Sequence, residues 1–207
     1  YNQAIKINPQ FANAYNNRGN AYEDLKQYSQ AIDDYSQAIK INPEDVYAYY
    51  NRGITYYNLK QYTQAIDDYN QVIKINPQFV AAYINRGAIY NDLKQYTQAI
   101  NEYNQAIKLN PQIAMAHRNR GNTYKDLKQY PQAIADYSQA IKLVPQYIDA
   151  YKNRGNVYYE LKQYSQAKAD LQKAAELYRA QNNTIDYQKV MDLRVDTEKG
   201  RYSTLSL

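Results

Sequence analysis

Few side chains in this sequence could do catalytic or metal chemistry. The 207 residues contain no cysteine and a single histidine, His117. Disulfide frameworks, thiolate-bound zinc or iron–sulfur sites and histidine-rich metal centres are therefore excluded. Carboxylates leave paired-carboxylate hydrolysis formally open, but the sequence has no nucleophile–base pair, glycine-rich phosphate loop or metal-ligand spacing. We interpret the chain as noncatalytic, with no cofactor and no metal, and His117 as a packing residue.

Asparagine is the first chemically useful residue that recurs at a fixed interval. It stands at Asn17, Asn51, Asn85, Asn119 and Asn153. An amide side chain both donates and accepts hydrogen bonds, which is what sequence-tolerant pairing with an extended peptide backbone needs. The alternative is that these amides bond within the protein and order neighbouring helices. Both roles stay open, and one does not exclude the other.

Arginine and an acidic residue recur with the same interval. An acid follows each arginine by sixteen positions, in the pairs Arg18 and Asp34, Arg52 and Asp68, Arg86 and Glu102, Arg120 and Asp136, and Arg154 and Asp170. A charge that faces a helix–helix interface is costly unless it is paired. The spacing predicts one arginine–carboxylate bridge inside each repeat. The functional alternative is that the five arginines grip a polyanion.

The elements that carry these residues form a repeat of 34 positions. Five glycines and five prolines keep that interval: Gly19, Gly53, Gly87, Gly121 and Gly155, with Pro9, Pro43, Pro77, Pro111 and Pro145. Glycine and proline that recur at one fixed interval indicate that a single structural unit is repeated. The predicted repeats are 12–45, 46–79, 80–113, 114–147 and 148–181. Residues 1–11 match the closing helix of an earlier repeat, so we interpret the chain as a piece of a longer protein, and 182–207 as a capping helix and tail.

Within each repeat the pattern predicts helix, turn, helix. Apolar and small residues recur at three- and four-residue steps on both sides of a link too short for anything but an antiparallel helical hairpin. Asn-Pro ends the second helix, and we expect Ser29, Thr63, Thr97 and Ser165 to cap its start, where Pro131 stands in the fourth copy. The in-register glycines mark a contact that no side chain would permit. Most of the 27 tyrosines fall in recurring interface positions.

This pattern resembles the tetratricopeptide repeat (TPR) family. The first repeat carries the family signature as Tyr15, Gly19, Tyr22, Ala31, Tyr35, Ala38 and Pro43. The chain departs from the family in having arginine before the glycine, where leucine is usual, and lysine in the turn, where glycine is usual, as at Lys26. The resemblance implies an all-α TPR solenoid, a right-handed superhelix of antiparallel helix pairs whose first helices line a concave groove. The asparagines resemble the asparagine-ladder type of TPR superhelix.

The expected binding site follows from that resemblance. First-helix positions of the second and third repeats are aromatic or apolar, whereas those of the later repeats carry cations. We therefore expect a peptide or partner protein whose hydrophobic residue lodges in repeats 2 and 3, with acidic character toward repeats 4 and 5. Besides the five asparagines, the candidate ligand-binding residues are Tyr47, Tyr50, Ile54, Tyr57, Ile84, Arg118 and Lys152.

Charge and hydropathy bear on the class of partner. The net charge is +5 and the pI about 9.0, but the expected groove positions are more acidic than basic, which makes nucleic acid an unfavoured partner. A targeting domain of a larger enzyme and a single-stranded nucleic-acid binder are the alternative functions. The mean hydropathy of −0.86 indicates no membrane span. We expect that the chain can self-associate through its open N-terminal end, where a second copy could cover the exposed helix surface. Composition does not determine the compartment; the cytoplasm is favoured.

Overall fold

A computed structural model describes residues 1–181, and all regular structure in this range is α-helical. The helices are α1 (Asn2–Ile7), α2 (Ala12–Asp24), α3 (Tyr28–Ile41), α4 (Val46–Asn58), α5 (Tyr62–Ile75), α6 (Val80–Asp92), α7 (Tyr96–Leu109), α8 (Ala114–Asp126), α9 (Tyr130–Leu143), α10 (Ile148–Glu160) and α11 (Tyr164–Ala180). The expected all-α class is confirmed. None of the helices in residues 1–181 is long and apolar enough to cross a lipid bilayer.

Each predicted repeat contains two helices that pack against each other, α2 on α3, α4 on α5, α6 on α7, α8 on α9 and α10 on α11. The chain divides into two compact units, which we describe separately. Unit 1 is Tyr1–Leu109, and unit 2 begins at Asn110. Inside unit 1 each second helix also packs on the next first helix, α3 on α4 and α5 on α6. Helix pairs therefore stack on one another in chain order.

Small and aromatic residues meet where the two helices of a repeat cross. In the second repeat, a Cβ atom added to Gly53 would lie 2.8 Å from the ring of Tyr69. Tyr69 is fully buried, and its equivalents Tyr35, Tyr103 and Tyr137 are buried too. In the fifth repeat, Leu171 replaces the tyrosine, and the corresponding distance from Gly155 is 3.1 Å. The expected close contact at the glycines is confirmed.

The arginine–carboxylate bridges are present in all five repeats. In the first repeat Arg18 donates through Nε and Nη2 to the two carboxylate oxygens of Asp34, both at 2.7 Å. Arg52 holds Asp68 in the same bidentate way. The remaining bridges join Arg86 to Glu102, Arg120 to Asp136 and Arg154 to Asp170. The prediction is confirmed, and these five arginines are occupied by the protein's own acids.

The turn between paired helices explains the unusual lysine. Lys26, Lys60, Lys94, Lys128 and Lys162 have φ angles of 58° or 59°, in the left-handed region. After α2, the Lys26 N–H donates to the carbonyl of Glu23, and the next N–H, from Gln27, donates to Tyr22. This pair of bonds is a Schellman motif, whose left-handed position favours glycine. Five non-glycine residues therefore hold a strained conformation that the hydrogen bonds stabilise.

The expected N-caps of the second helices are wrong. These helices begin one residue before Ser29, Thr63 and Ser165, and Thr97 also lies inside α7. Gln27 takes the cap position without a side-chain bond, and its carbonyl accepts from the Ala31 N–H at 3.1 Å. The Schellman turn returns the chain to helical geometry earlier than the hydroxyl residue. Pro131 does lie in the first turn of α9, as expected.

The second helices end as the sequence predicts. Asn42 and Asn76 have extended backbone directly after Ile41 and Ile75, and each side-chain oxygen accepts the N–H two residues ahead. These bonds satisfy the loop that leads to the next repeat. The last described helix, α11, continues to Ala180, past the point where the other second helices end. The expected capping helix in 182–207 lies outside the described residues.

Candidate functional site

The first helices of unit 1 lie side by side and present one continuous face. Midway along the helices, the Asn51 amide on α4 donates to the side-chain oxygens of Asn16 at 3.2 Å and Asn20 at 3.0 Å on α2. Near their C-terminal ends, Asn58 donates to Glu23 at 3.1 Å. Because the middle of one helix contacts the middle of the other and the C-terminal ends are also joined, the helices run in the same direction and in register. We call the surface of α2, α4 and α6 the first-helix face of unit 1.

Three of the five ladder asparagines use their N–H groups inside the protein. Besides Asn51, Asn85 donates to the hydroxyls of Tyr50 at 3.2 Å and Tyr69 at 3.4 Å. In unit 2, Asn153 donates to Asn122 at 2.8 Å. The ordering role of the ladder is therefore observed at these positions.

The other two ladder positions differ from this pattern. Asn119 accepts a hydrogen bond from Arg118 at 3.0 Å, and Asn17 is exposed. For pairing with a ligand, the ladder still offers the exposed side chain of Asn17 and the side-chain oxygens of the three asparagines whose N–H groups are bonded. Pairing of the ladder with a peptide backbone stays a prediction.

An aromatic cluster interrupts the polar ladder on unit 1. Tyr47 is 63% exposed, and its ring packs edge-on against Phe79 at a centroid distance of 5.9 Å. Tyr50 also packs against Phe79, at a centroid distance of 4.9 Å. We call Tyr47, Tyr50 and Phe79 the aromatic cluster. Sequence reasoning missed Phe79 because it precedes α6 instead of lying on a first helix; Phe11, two periods earlier in the sequence, is the signal that could have found it.

Two other candidate residues of the second and third repeats contribute differently from what the sequence indicates. Ile54 is half-buried, but Ile84 is only 2% exposed, so Ile84 is a core residue and not a surface anchor. The sequence analysis wrongly predicted Ile84 to lie on the exposed face, because the helical period alone does not distinguish that face from the edge of an interface. We remove Ile84 from the candidate site.

Tyr57 links α4 to α6 at the other end of the face. Its hydroxyl donates to a carboxylate oxygen of Asp92 at 2.9 Å. Burial, together with this bond, raises the pKa of Tyr57 to about 12. The phenol is therefore neutral at physiological pH and acts as a donor that holds Asp92 in place.

The cations predicted to attract an acidic ligand are paired within unit 2. Arg118 donates to a carboxylate oxygen of Asp149 at 2.9 Å, and the Lys152 amine lies 4.0 Å from the other oxygen. Asp149 is 40% exposed, so the group is open to solvent. A ligand carboxylate would have to compete with Asp149 for both cations. This pairing with Asp149 weakens the electrostatic attraction of Arg118 and Lys152 for an acidic peptide.

His117 takes part in the bridge of the fourth repeat. It is buried, and its Nδ1 lies 3.2 Å from Oδ1 of Asp136, which also accepts from Arg120. Burial alone would raise the pKa of Asp136, but hydrogen bonds from Arg120 and His117 hold it below its ordinary value. His117 therefore packs in the interface and supports a structural bridge, as the sequence interpretation expects. Residues 1–181 contain no cluster of three or more histidine or acidic residues that could bind a metal ion.

Comparison with known proteins places the geometry in a family. Tetratricopeptide repeat models match residues 12–45, 46–79, 148–180 and 68–101, and a TPR repeat model matches 87–127 and 121–162. These matches cover residues 12–180 without a gap. A search of curated proteins found no match.

Solved structures share the fold. MamA from Desulfovibrio magneticus is 24% identical, covers 82% of this chain and 96% of its own, and has a TM-score of 0.74. YrrB, described as a TPR protein with an unusual peptide-binding site, is 21% identical over 91% of this chain and 97% of its own, with a TM-score of 0.67. A TPR protein of Thermus thermophilus is 21% identical over 87% of this chain and 98% of its own, with a TM-score of 0.70. These TM-scores show a common fold. The helix pairs stack, a glycine meets a tyrosine where they cross, and the repeat models match through residue 180. The chain therefore belongs to the tetratricopeptide repeat family.

Proposed function

We propose that this chain is a noncatalytic interaction module that binds a peptide, or an extended segment of a partner protein, on the first-helix face of unit 1. The observation that carries the proposal is the exposed aromatic cluster. Tyr47 is mostly exposed to solvent. Beside it, the rings of Tyr50 and Phe79 pack together and are partly buried. Clustered aromatic side chains with one open flank are typical anchors for a partner's apolar residue.

The polar groups around the cluster support a peptide ligand. Asn51 bonds to the preceding first helix, and Asn85 bonds to Tyr50 of the cluster itself. These bonds fix the positions of the amides before a ligand arrives, which lowers the ordering cost of binding. YrrB, which shares the fold, is described as having a peptide-binding site, and this description is consistent with the proposal.

Nucleic acid is the weaker alternative for this chain. The five recurring arginines are held by acids of the same chain, and the half-buried pair Arg118 and Lys152 faces Asp149. A nucleic-acid surface needs free cations along its length. Bridged arginines therefore favour the peptide proposal.

The test uses peptides selected from a random-sequence display library against the purified chain. We expect Tyr47→Ala to weaken their binding, measured by fluorescence anisotropy, by about tenfold, since a central aromatic anchor is often worth that much. Because Tyr47 is exposed, its truncation leaves the core intact, and circular dichroism checks that the variant is folded. Tyr164→Ala is the matched control, because Tyr164 is an exposed tyrosine of unit 2 in an edge-on pair with Tyr159. Equal affinity of the wild type and Tyr47→Ala would contradict the proposed site.

A further inference from the structure

The two ends of the first-helix face of unit 1 differ in chemistry. The aromatic cluster lies toward the N-terminal ends of α4 and α6. Three carboxylates, Glu23, Asp24 and Asp92, lie in the last turns of α2 and α6. We call these three residues the acidic edge. Since the first helices run in parallel, the acidic edge and the aromatic cluster occupy opposite ends of one face.

The helix dipoles strengthen the acidic edge. A helix C-terminus carries about half a negative charge, which basic residues in the last turn normally offset. The last turns of α2, α4 and α6 contain no basic residue, whereas those of α3, α5 and α7 carry Lys40, Lys74 and Lys108. Within their last turns, these three helices therefore have no basic side chain to offset the dipole charge, which adds to that of the carboxylates at the same end of the face, although the turn lysines Lys26, Lys60 and Lys94 follow.

The bonds that hold the acidic edge leave its charge in place. Glu23 accepts from the Asn58 amide, and Asp92 accepts from the Tyr57 hydroxyl. Both donors are neutral, and in the part of the chain that the structure describes none of the three carboxylates forms an ion pair within 4 Å. The turn lysines, such as Lys94, follow the helix ends but are not bridged to these acids.

The corresponding end of unit 2 differs. There Lys125 lies in the last turn of α8, 3.8 Å from Asp126. Basic and acidic residues are mixed, so the negative charge of this helix end is partly offset. Asp126 is the counterpart of Asp92 one repeat later in the 34-residue series, and this makes it a matched control.

We infer that the ligand of unit 1 is a peptide with an apolar side chain for the aromatic cluster and a lysine or arginine for the acidic edge, an inference that rests on the proposed function. Tyr50 and Tyr57 are seven residues apart on α4, about 10 Å along the helix axis. An extended peptide covers that distance in about three residues. The recognition element is therefore a basic residue about three positions from an apolar one.

The experiment uses fluorescein-labelled peptides with one leucine in an alanine–serine background, and lysine, glutamine or glutamate about three residues away. We expect the lysine peptides to bind about fivefold more tightly than the glutamine peptides, and the glutamate peptides to bind more weakly than both, since exposed ionic contacts have about this strength. Raising the salt concentration narrows the difference, because the contacts are open to solvent.

Variants assign the preference to the acidic edge. The double variant Glu23→Gln with Asp92→Asn keeps an acceptor for Asn58 and for Tyr57, and we expect it to lose the lysine preference while it retains leucine-dependent binding. Asp126→Asn should leave the preference unchanged. Equal binding of the three peptide sets, or tighter binding of the glutamate set, overturns the inference although Tyr47-dependent binding still supports the proposed function. If no peptide of any charge is sensitive to Tyr47→Ala, the proposed function fails and this inference fails with it.

Discussion

A residue with no side chain determines how closely the paired helices approach. Glycine in a helix costs about 1 kcal/mol relative to alanine, yet five glycines recur, and four face a buried tyrosine ring at 2.7 or 2.8 Å from an added Cβ. That distance is shorter than carbon–carbon van der Waals contact. The glycine and the tyrosine must therefore be considered as one interface unit, because neither residue can change size alone.

Gly53→Ala tests this unit. The added methyl group would meet the ring of Tyr69, which is fully buried. We expect the variant to lose about 1–3 kcal/mol of unfolding free energy, as overpacked cores do, measured by urea denaturation. Gly155→Ala is the matched control, since Leu171 leaves 3.1 Å there and the gain in helix propensity offsets part of the cost. A Gly53→Ala variant as stable as Gly155→Ala would contradict the clash.

At the scale of the element, a charged bridge joins the two helices of each repeat. The acids of the bridges in repeats 2 and 4 are buried, but their surroundings differ. Burial raises the pKa of Asp68 despite its bond to Arg52, whereas Asp136, which has His117 as an additional partner, has a lowered pKa. The fourth bridge therefore stabilises the folded state above the pKa of a free aspartate, and this contribution is lost as pH falls through the folded value.

Asp136→Asn should show this linkage. At pH 7 the variant leaves Arg120 without its carboxylate, and we expect a loss of about 2–3 kcal/mol, less than for a fully buried pair because Arg120 is partly exposed. As the pH falls through the lowered folded pKa of Asp136, the wild-type carboxyl becomes protonated, so the two proteins should approach equal stability. Urea denaturation at pH 7 and at successively lower pH values measures the difference. Asp149→Asn is the control for an exposed bridge and should change stability by less than about 1 kcal/mol. A pH-independent difference for Asp136→Asn would contradict the linkage.

The turn is the second element whose energy can be tested. Lys94 holds a φ of 59°, which costs a residue with a side chain about 1–2 kcal/mol relative to glycine. We expect Lys94→Gly to stabilise the protein by about 0.5–1 kcal/mol, since greater freedom of the unfolded chain offsets part of the gain. Thermal unfolding followed by circular dichroism measures the change. Lys108→Gly, within the last turn of α7, should instead destabilise. Destabilisation by Lys94→Gly would show that the lysine side chain makes a compensating contact.

At the scale of the whole molecule, the net charge of +5 does not by itself indicate a nucleic-acid partner, because binding depends on where the cations lie. Five arginines are bound by acids of the same chain, and the first-helix face of unit 1 has an acidic edge. We therefore expect single-stranded RNA to bind no more tightly than about 10⁻⁴ M at physiological salt. A fluorescence titration with a labelled oligonucleotide measures this. Tight binding with a steep dependence on salt would support the polyanion alternative.

The sequence by itself determined the helix pairs, the repeats, the arginine–acid partners and the glycine contacts, because a period of 34 residues places equivalent side chains in equivalent surroundings five times. Each copy thus served as a check on the others. The starts of the second helices were predicted wrongly. The hydroxyl residues did not cap these helices, because the turn at the left-handed lysine returns the chain to helical geometry before it reaches them.

Only the tertiary structure decided which members of a repeating row remain available to a ligand. Asn51 and Asn85 are bonded to neighbouring helices, Ile84 is buried, and Phe79 completes the aromatic cluster from outside a first helix. Periodicity assigns a residue to a face of its own helix, but its exposure and its partners depend on side chains of the adjacent repeat. Those side chains differ from copy to copy, and for this reason the candidate site could not be derived from the repeat alone.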